Sequence, residues 1–587
     1  MNKQNSTRFV PLLVALGIVA GILLGNFYAN YFSGKRLNIV NASGNKLNDL
    51  LHIIDDQYVD SVNISDLVEK ALPKIMSELD PHSVYISADE VEASMQDLKG
   101  SFSGIGIEFT IMKDTVRVIR PVEGGPSESA GLRPGDRIVS IDGKPFVGKV
   151  VTNEEATKRL KGATNSVVKL GIRRPGVEKL LTFSVVRGEV PLRSIDAVYM
   201  LDPGIGYIRV KSFAETTYSE FLAALARLNH GDFRGLVIDL RGNLGGYMDP
   251  AVKMANEFLP KNRLIVYTEG RKSPREEYRS DGRGVYQSLP LVVLVDEASA
   301  SASEIFAGAI QDNDRGMIVG RRTFGKGLVQ VPIEFRDGSM LRLTKARYYT
   351  PSGRCLQKPY TMGDEEDYAQ DLLLRAEHGE FFSRDSIKTN GQRYKTSIGR
   401  TVYGGGGIIP DIFIPRDTTG MTSYFKDAYF DGLLYQFSFD YIDRNRQELS
   451  AFKDVDTLLH HLQRQGIVEQ FARFAEKNGL RRRNLMLRKS HALFESYLFS
   501  YIIDDLLDAR AAAIYVNRED PAVLKAVSLI NEGAAFPKKE QKAAGRTACV
   551  ARPAWSARFA WAGAAPTINP FRPLLAVCPR KENCAAI

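Results

Sequence analysis

The spacing of apolar residues divides the chain into regions with different expected structure. Residues 46–98 carry leucine and isoleucine at helical intervals, which predicts helices. Residues 102–186 contain short β-rich runs separated by glycine and proline, which predicts a small β-rich module. Between 204 and 414, fully apolar strand runs alternate with helical stretches, which predicts an α/β domain whose sheet is covered on both faces. After about residue 416 the pattern becomes helical again.

An apolar run at residues 9–25 follows Lys3 and Arg8 and precedes several aromatic residues. This arrangement is typical of a signal peptide or of a membrane anchor. We favour an uncleaved anchor, because no small-x-small cleavage site follows the run. The protein would then be a single-pass protein of the inner membrane with its body in the periplasm. If the segment is cleaved, the body is secreted to the periplasm.

Composition excludes several classes of protein. The chain has 587 residues, of which 44% are hydrophobic and 25% are charged, so it is neither disordered nor a disulfide-stabilised miniature. The net charge of +9 first suggests a nucleic-acid partner. However, residues 541–587 hold seven Lys or Arg and one acidic residue, which leaves +3 for the first 540 residues. The body is therefore nearly neutral, and we expect no nucleic-acid partner.

The last segment also differs in its residue types. Cys549, Cys578 and Cys584 lie in it together with both tryptophans, whereas Cys355 is the one cysteine of the body. The body therefore has no internal disulfide and no cysteine metal cluster. Residues 538–587 keep no hydrophobic period, which fits either a frameshifted end or a natural basic tail.

The densest group of candidate catalytic residues is the run SASASE at 299–304, between an apolar strand that ends at Val295 and an apolar helix. A hydroxyl at a strand-to-helix turn is exposed, and free N–H groups at the helix start can stabilise an oxyanion. Ser301 is therefore a candidate nucleophile. A second interpretation stays open, because Ser301 followed three residues later by Glu304 also forms a capping box.

A serine nucleophile needs a base. Of the seven histidines only His230 comes near a strand end of the α/β region, and none has metal-ligand spacing. A desolvated lysine can act instead, and Lys326 between two glycines is the candidate. The segment 320–326 also matches G-x-x-x-x-G-K. A P-loop would require Ser or Thr at the next position, where this chain has Gly327, and then a helix, where it has an apolar strand-like run.

Two glycine-containing segments could bind an anionic oxygen. RGNLGG at 241–246 follows an apolar strand, so its N–H groups could contact an oxyanion, although an ordinary tight turn has the same pattern. GIGI at 104–107 opens a strand of the β-rich module. Its N–H groups could hold the terminal carboxylate of a peptide whose backbone pairs with the strand edge.

Taken together, these segments resemble the carboxyl-terminal processing proteases, which are serine peptidases of family S41 with a PDZ domain. The resemblance covers about residues 45–415. It rests on motifs in one order, which are LDPHS at 79–83, GIGI at 104–107, GLRPGDRIVSIDG at 131–143, DLRGNLGG at 239–246, SASASE at 299–304, GRRTFGKGLVQ at 320–330, ARYYTPSGR at 346–354 and GGIIPDI at 406–412.

The resemblance implies roles for individual residues. The implied catalytic residues are Ser301 as nucleophile, Lys326 as base and Gln330 as the residue that positions the lysine; the implied oxyanion donors are Gly245, Gly246 and Ala302; the implied peptide-binding residues are Gly104, Ile105, Gly106 and Ile107. Leu244 replaces the proline that is usual in the glycine turn, and Asp312 matches an acidic position of structural importance. No metal or cofactor is implied.

The resemblance also implies the architecture, an α/β crotonase/ClpP-like protease core with an inserted PDZ-like domain and helical N- and C-terminal regions. The expected divisions are an anchor at 1–35, a helical region at 36–98, the PDZ-like domain at 99–188, the protease core at 189–415, a helical region at 416–537 and an atypical tail at 538–587. Expected partners are protein C-termini as substrates, the inner membrane and a second copy in a homodimer. The alternative function is a catalytically inactive PDZ scaffold.

Overall fold

The computed structural model describes residues 19, 21, 42–112, 114–389, 391–539 and 584–586, and it contains two compact units divided between residues 78 and 79. In the first unit, helices α1 (Ala42–Gln57) and α2 (Ile64–Ser77) confirm the helical pattern. The predicted anchor lies outside the described residues, apart from Val19 and Gly21. No helix in the described part of the chain is long and apolar enough to cross a membrane.

The second unit begins with strand β1 (Val84–Ile86) and helix α3 (Ala88–Lys99) and continues into the predicted β-rich module. The elements of this module are β2 (Ser101–Gly104), β3 (Ile107–Ile111), β4 (Val116–Pro121), α4 (Pro126–Ala130), β5 (Arg137–Ile141), β6 (Lys144–Pro145), α5 (Asn153–Leu160), β7 (Val167–Arg173), β8 (Leu181–Val186) and β9 (Gly188–Pro191). Its main sheet has the order β3-β4-β5-β7-β8, with β6 beside β5, and β2 pairs with β9. Phe109, Ile138 and Leu170 are fully buried in its core.

The α/β domain follows. Its elements are β10 (Ile195–Asp202), β11 (Ile205–Val210), α6 (Thr217–Leu228), β12 (Gly235–Asp239), α7 (Met248–Asn256), β13 (Leu264–Gly270), β14 (Ser273–Arg279), β15 (Leu291–Val295), α8 (Ala302–Asp312), β16 (Met317–Gly320), β17 (Leu328–Glu334), β18 (Met340–Tyr349), α9 (Glu365–Glu377), a 3₁₀ turn (Arg384–Ser386), β19 (Arg393–Lys395), β20 (Thr401–Tyr403) and β21 (Ile412–Phe413).

Two sheets build the α/β domain. The first has the order β10-β11-β12-β15-β16-β21, and its strands from β11 onward are parallel. Every residue of β12 and β15 is buried, as their continuous apolar runs predict. The second sheet has the order β1-β18-β13-β14, with β17 also paired to β18. Because β12 and β15 are neighbouring parallel strands, the loops that follow them lie at the same sheet edge.

Residues 423–531 are mainly helical, as predicted. The helices are α10 (Ser423–Phe430), α11 (Leu433–Leu449), α12 (Val455–Arg464), α13 (Ile467–Lys477), α14 (Asn484–Lys489), α15 (His491–Leu506), α16 (Ala509–Asn517) and α17 (Pro521–Asn531). Helices α10 to α15 enclose a core of their own, rich in aromatic residues such as Phe437, Phe471 and Phe494.

Helix α17 does not belong to that separate core. Its Val523, Leu529 and Ile530 pack against Val237 and Val292 on one face of the parallel sheet. This face would otherwise expose fully apolar strands, so the end of the helical region completes the α/β domain. In the tail, strand β22 (Cys584–Ala586) pairs antiparallel with β3 at the free edge of the PDZ-like sheet and contacts α5.

Candidate active site

Ser301 lies where the loops after β12 and β15 are joined by hydrogen bonds. The main-chain N–H of Ala300 and the hydroxyl of Ser303 both donate to the Asn243 carbonyl oxygen, at 3.0 Å each. The Asn243 side chain is fully buried and donates to the Val210 carbonyl oxygen at 2.8 Å. These bonds hold the glycine turn at 241–246 directly against the run SASASE.

The backbone of Ser301 has a conformation that is uncommon for a residue with a side chain. Its φ and ψ are 54° and −113°, immediately before α8 begins at Ala302. Such strain is found where surrounding contacts fix a residue, and functional sites are frequent among these positions. Ser301 also forms a capping box with Glu304. The two interpretations of the sequence are therefore not exclusive, because the capping residue and the candidate nucleophile are the same serine.

The glycine turn approaches Ser301 so closely that a side chain would not fit. A Cβ added at Gly245, whose φ is 100°, would lie 2.7 Å from the Ser301 Cβ and 3.0 Å from the Ala302 nitrogen. The N–H of Gly245 itself donates to Asn243 Oδ1 at 2.8 Å. By contrast, the N–H groups of Gly246 and Ala302 have no hydrogen-bond acceptor among the described residues. Leu244, which replaces the proline usual at this position, is 64% exposed.

Glu304 connects the candidate nucleophile and the candidate base. Its Oε2 accepts hydrogen bonds from the main-chain N–H of Ser301 at 2.9 Å and of Lys326 at 2.8 Å. Its Oε1 accepts from the N–H of Gly325 at 2.8 Å and from the hydroxyl of Thr323. The carboxyl is fully buried, and burial raises its pKa to about 7 while these four donors act in the opposite direction.

A second side chain, Tyr348, contacts the same two residues. Its hydroxyl carries one proton and lies within hydrogen-bond distance of two acceptors, the carbonyl oxygen of Ser301 at 3.2 Å and that of Lys326. Tyr348 is 1% exposed, so its ring is held by the surrounding core. Glu304 and Tyr348 together fix the backbones of Ser301 and Lys326, one through N–H groups and the other through carbonyl groups.

The surroundings of Lys326 favour its neutral form. Burial lowers the pKa of its ammonium group, and the positive charge of Arg342 lowers this pKa further. The negative charges of Asp80 and Glu304 act in the opposite direction. A lysine with a lowered pKa has a larger neutral fraction near pH 7 and can accept a proton there.

The segment LDPHS lies in the same neighbourhood. Burial and the charge of Lys326 lower the pKa of His82 to about 4, so this imidazole is neutral at pH 7. A hydrogen bond of 3.0 Å joins His82 Nε2 to the hydroxyl of Tyr368. Asp80 Oδ1 accepts from the main-chain N–H of His82 at 3.0 Å and from the Thr344 hydroxyl at 2.9 Å. No role was predicted for Asp80, His82 or Tyr348 from the sequence, although their motifs were part of the resemblance.

Several residues singled out in the sequence lie elsewhere or make other contacts. The Gln330 amide donates to the Thr344 hydroxyl at 3.2 Å, and no hydrogen bond joins it to Lys326. His230 is exposed on the surface. Lys326 is followed by β17, so the helix that a P-loop requires is missing at this position. Asp312 forms an ion pair of 2.7 Å with Arg354, and both side chains are fully buried.

The predicted peptide-binding segment connects β2 to β3. Ile105 and Ile107 are fully buried, and Gly106 has a φ of 72°. The edge of β3 pairs with β22, in the register Cys584 to Thr110 and Ala586 to Glu108. The described part of the tail therefore adds a strand to this edge, in the manner expected for a peptide ligand. No group of three or more metal-ligating side chains occurs among the described residues.

Comparison with known proteins assigns the regions of the chain to families. Residues 204–368 match Peptidase family S41, residues 117–174 match the PDZ domain, and residues 424–508 match a family of unknown function. The carboxy-terminal-processing protease of Bartonella bacilliformis is 37% identical over 318 residues, which are 53% of this chain and 72% of that protein. Carboxy-terminal processing protease CtpB of Bacillus subtilis is 34% identical over 316 residues, 53% of this chain and 65% of that protein.

Among solved structures, the photosystem II D1 C-terminal processing protease is 27% identical and matches with a TM-score of 0.32, covering 63% of this chain and 92% of that chain.

The family matches to the α/β domain and to the β-rich module define a serine peptidase of family S41 that carries a PDZ domain. Within this class, the chain belongs to the carboxy-terminal processing proteases.

Proposed function

We propose that the protein is an exported endopeptidase that cleaves proteins near their C-termini with Ser301 as nucleophile and Lys326 as base. The observation that carries the proposal is the shared attachment of these two residues to Glu304. An inactive scaffold would need neither a strained serine at the start of α8 nor a partly desolvated lysine fixed beside it.

The chemistry begins with proton transfer from the Ser301 hydroxyl to the neutral Nζ of Lys326. The serine Oγ forms a bond to the carbonyl carbon of the scissile peptide, and the electron pair of the C=O bond moves to the oxygen. The oxyanion then re-forms the C=O bond while the C–N bond breaks, and the Lys326 ammonium group gives its proton to the leaving amine. Water attacks the acyl carbon while Lys326 accepts its proton, which forms a second tetrahedral intermediate. Its collapse breaks the C–O bond to Ser301, Lys326 returns the proton to the serine Oγ, and the new carboxyl terminus is released.

The oxyanion of the tetrahedral intermediate would be stabilised by the N–H groups of Ala302 and Gly246. Both lack an acceptor among the described residues, whereas the N–H of Gly245 is bonded to Asn243. Ala302 is also the first residue of α8, where the partial positive charge of the helix favours an anion. Gly245 would contribute through its missing side chain, which lets the turn approach Ser301.

Substrate selection would take place at the PDZ domain. The edge of β3 can pair with the backbone of an extended peptide, and Gly104 to Ile107 would hold its terminal carboxylate. The position of β22 along β3 supports this assignment of the edge. A polypeptide with a free C-terminus should therefore be cleaved with a lower KM than the same polypeptide carrying a C-terminal amide.

Export is part of the proposal and rests on the apolar run at residues 9–25 behind Lys3 and Arg8. Cell fractionation and protease accessibility of intact spheroplasts would test it, with the body expected outside the cytoplasmic membrane.

Association into homodimers is also proposed, because α1 exposes about half of the side-chain surface of Leu47, Leu50 and Ile53. Light scattering of the purified protein would test it.

The decisive experiment compares Ser301→Ala and Lys326→Ala with Lys345→Ala, an exposed lysine on β18. Cleavage should disappear in the first two variants and stay at the wild-type rate in the third, with unchanged thermal unfolding in all. A serine-reactive acylating probe should label the wild-type protein at Ser301 and fail to label Ser301→Ala. Full turnover by Lys326→Ala would refute the dyad, and a wild-type protein that neither cleaves nor labels would favour the inactive scaffold.

A further inference from the structure

The PDZ domain and the helical region are joined by charged side chains that are largely hidden from solvent. Arg117 on β4 is 2% exposed and forms an ion pair with Asp443 on α11, which is 14% exposed. The guanidinium carbon of Arg117 lies 3.9 Å from the centre of the Phe439 ring, one turn earlier on α11. Arg137 on β5 contacts the other oxygen of Asp443 at 3.3 Å. Two strands of the PDZ sheet therefore bind one acidic residue of the helical region.

A second contact connects the helical region to β3. The edge of β3, together with Gly104 to Ile107, is the proposed binding site for a peptide and is called the peptide groove below. Arg120 on β4 donates through Nη1 to the main-chain oxygen of Asp504 at the end of α15, at 2.7 Å, and its Nη2 lies 3.7 Å from Oδ1 of the Asp504 carboxylate. The same guanidinium group donates to Glu108 on β3 at 3.0 Å. Arg120 thus links β3, along which a peptide would bind, to the helical region.

The backbone of the PDZ domain also packs tightly on α11. A Cβ added at Gly135, whose φ is 87°, would lie 3.1 Å from the Arg446 Nε. Arg117 Nε has no hydrogen-bond acceptor among the described residues, and burial lowers the pKa of Arg117 to about 10. Charges that are desolvated in this way add little net stability compared with apolar contacts, but they specify one orientation of the partners. The contact is therefore suited to fixing the orientation of the PDZ domain relative to the helical region.

We propose that helices α10 to α15, the segment that matches a family of unknown function, form a docking domain that holds the PDZ domain in one orientation through Arg117–Asp443 and Arg120–Asp504. Docking fixes where the peptide groove stands relative to the catalytic serine. Its loss affects substrates that use the groove and leaves the chemistry at Ser301 intact. This functional consequence rests on the proposed function, whereas the docking itself does not.

The structural test measures a distance between the two domains in the full chain. The native cysteines are replaced by serine, and spin labels are attached to cysteines introduced by Lys144→Cys in the PDZ domain and Lys477→Cys in the helical region, where both lysines are exposed. The parent protein should give one narrow distance distribution by electron paramagnetic resonance. Asp443→Lys places a positive charge against Arg117 and Arg137 and should broaden this distribution. Glu448→Lys, the same charge change at a side chain 63% exposed on α11, should leave it narrow.

A charge exchange distinguishes the loss of the ion pair at Asp443 from a nonspecific effect of the substitution on the folded protein. Arg137→Glu, at a side chain 45% exposed, should broaden the distribution when made alone, and it also serves if Asp443→Lys does not fold. The double variant Arg137→Glu with Asp443→Lys restores opposite charges between these two positions, while Arg117 still faces the new lysine, and it should narrow the distribution relative to Asp443→Lys alone. A distribution that is broad in the parent protein, or that stays narrow in both single variants, would overturn the proposal.

Cleavage assays test the functional consequence separately. For a polypeptide with a free C-terminus, Asp443→Lys should raise KM several-fold, while a short internally cleaved peptide that cannot reach the groove should keep its kcat/KM. Equal effects on both substrates would overturn the link to substrate selection. Absence of cleavage by the wild-type protein would count against the proposed function and leave the distance measurement valid as a test of docking.

Discussion

The main-chain N–H groups of Ser301 and Lys326 donate to the same oxygen atom, Oε2 of Glu304, at 2.9 and 2.8 Å. The two residues are 25 positions apart and belong to different loops. A single buried carboxyl therefore determines how far the start of α8 lies from the loop that carries the lysine. Since the Tyr348 hydroxyl also contacts both carbonyl oxygens and shares one proton between them, the distance between the two backbones is set by two side chains that need not touch a substrate.

Glu304→Gln should lower kcat strongly while the protein still folds. The amide keeps the shape of the side chain, but its NH₂ group would face N–H donors that now bind a carboxyl oxygen. A misplacement of about 1 Å at a catalytic group costs on the order of 100-fold in rate, and we expect a loss of this size. Steady-state kinetics with thermal unfolding on the same preparations would measure it.

Glu334→Gln provides the control, because this exposed residue of β17 undergoes the same chemical change away from the two loops. It should retain wild-type kinetics. If Glu304→Gln kept its full kcat, Glu304 would not be the residue that positions the nucleophile and the base.

Substitution by alanine should reduce activity at one glycine of the turn at 241–246 and only stability at another. At Gly245 the new Cβ would collide with Ser301, so Gly245→Ala should lose on the order of 100-fold in kcat/KM. Gly242 has a positive φ of 72° as well, but no atom lies within 4 Å of the place its Cβ would take. Gly242→Ala should cost about 1–2 kcal/mol of unfolding free energy and keep its activity.

Equal activities of these two variants would show that the close approach of Gly245 to Ser301 is not required. Circular dichroism and denaturant unfolding would establish that both variants are folded when their kinetics are compared.

Local sequence patterns predicted the elements of this protein well, because each depends on neighbouring residues. The continuous apolar runs of β12 and β15 and the helical spacing in α11 and α15 follow from burial alone. Local patterns made Ser301 and Lys326 candidates among other interpretations, and the resemblance implied their roles because its motifs are specific. What neither could supply were contacts between distant segments, such as Arg117 with Asp443 or α17 on the parallel sheet.

Glu304 makes a contact that local sequence patterns do not predict. Three residues after a serine, a glutamate predicts a capping box, and the structure contains one. Nothing in that local pattern indicates that the same carboxyl also binds a loop 22 residues later. Similarly, Gln330 was assigned to Lys326 by resemblance, whereas its amide donates to Thr344, a residue of the neighbouring strand β18.

The activity should depend on pH through Lys326. Only the neutral amine can accept the serine proton, so kcat/KM should rise with pH and level off above the pKa of Lys326, which burial and Arg342 hold below its ordinary value of 10.5. Arg342→Gln removes a positive charge and should raise this pKa. A rise of about half a unit would lower kcat/KM about threefold on the rising limb of the pH profile.

Two further variants test this assignment. Asp80→Asn removes a negative charge and should move the inflection to lower pH, opposite to Arg342→Gln. Arg336→Gln, an exposed residue between β17 and β18, should leave the inflection in place. Shifts of the same sign for Asp80→Asn and Arg342→Gln would contradict the electrostatic origin of the profile.

The buried pair of Asp312 and Arg354 should matter for stability and only indirectly for catalysis. Both side chains are fully buried, and Arg354 also donates to Gln311 and to the Tyr403 carbonyl oxygen, at 2.7 and 2.9 Å. Arg354→Met would leave the Asp312 carboxylate without its positive partner, which should lower the unfolding free energy by about 3–5 kcal/mol.

Arg193→Met is the matched comparison, because Arg193 pairs with Glu123 at the surface, with exposures of 62% and 76%. It should change the unfolding free energy by less than about 1 kcal/mol. Urea unfolding measures both variants, and the folded fraction of Arg354→Met should keep a kcat close to that of the wild type. An Arg354→Met protein as stable as the wild type would mean that the pair does not hold α8 in place.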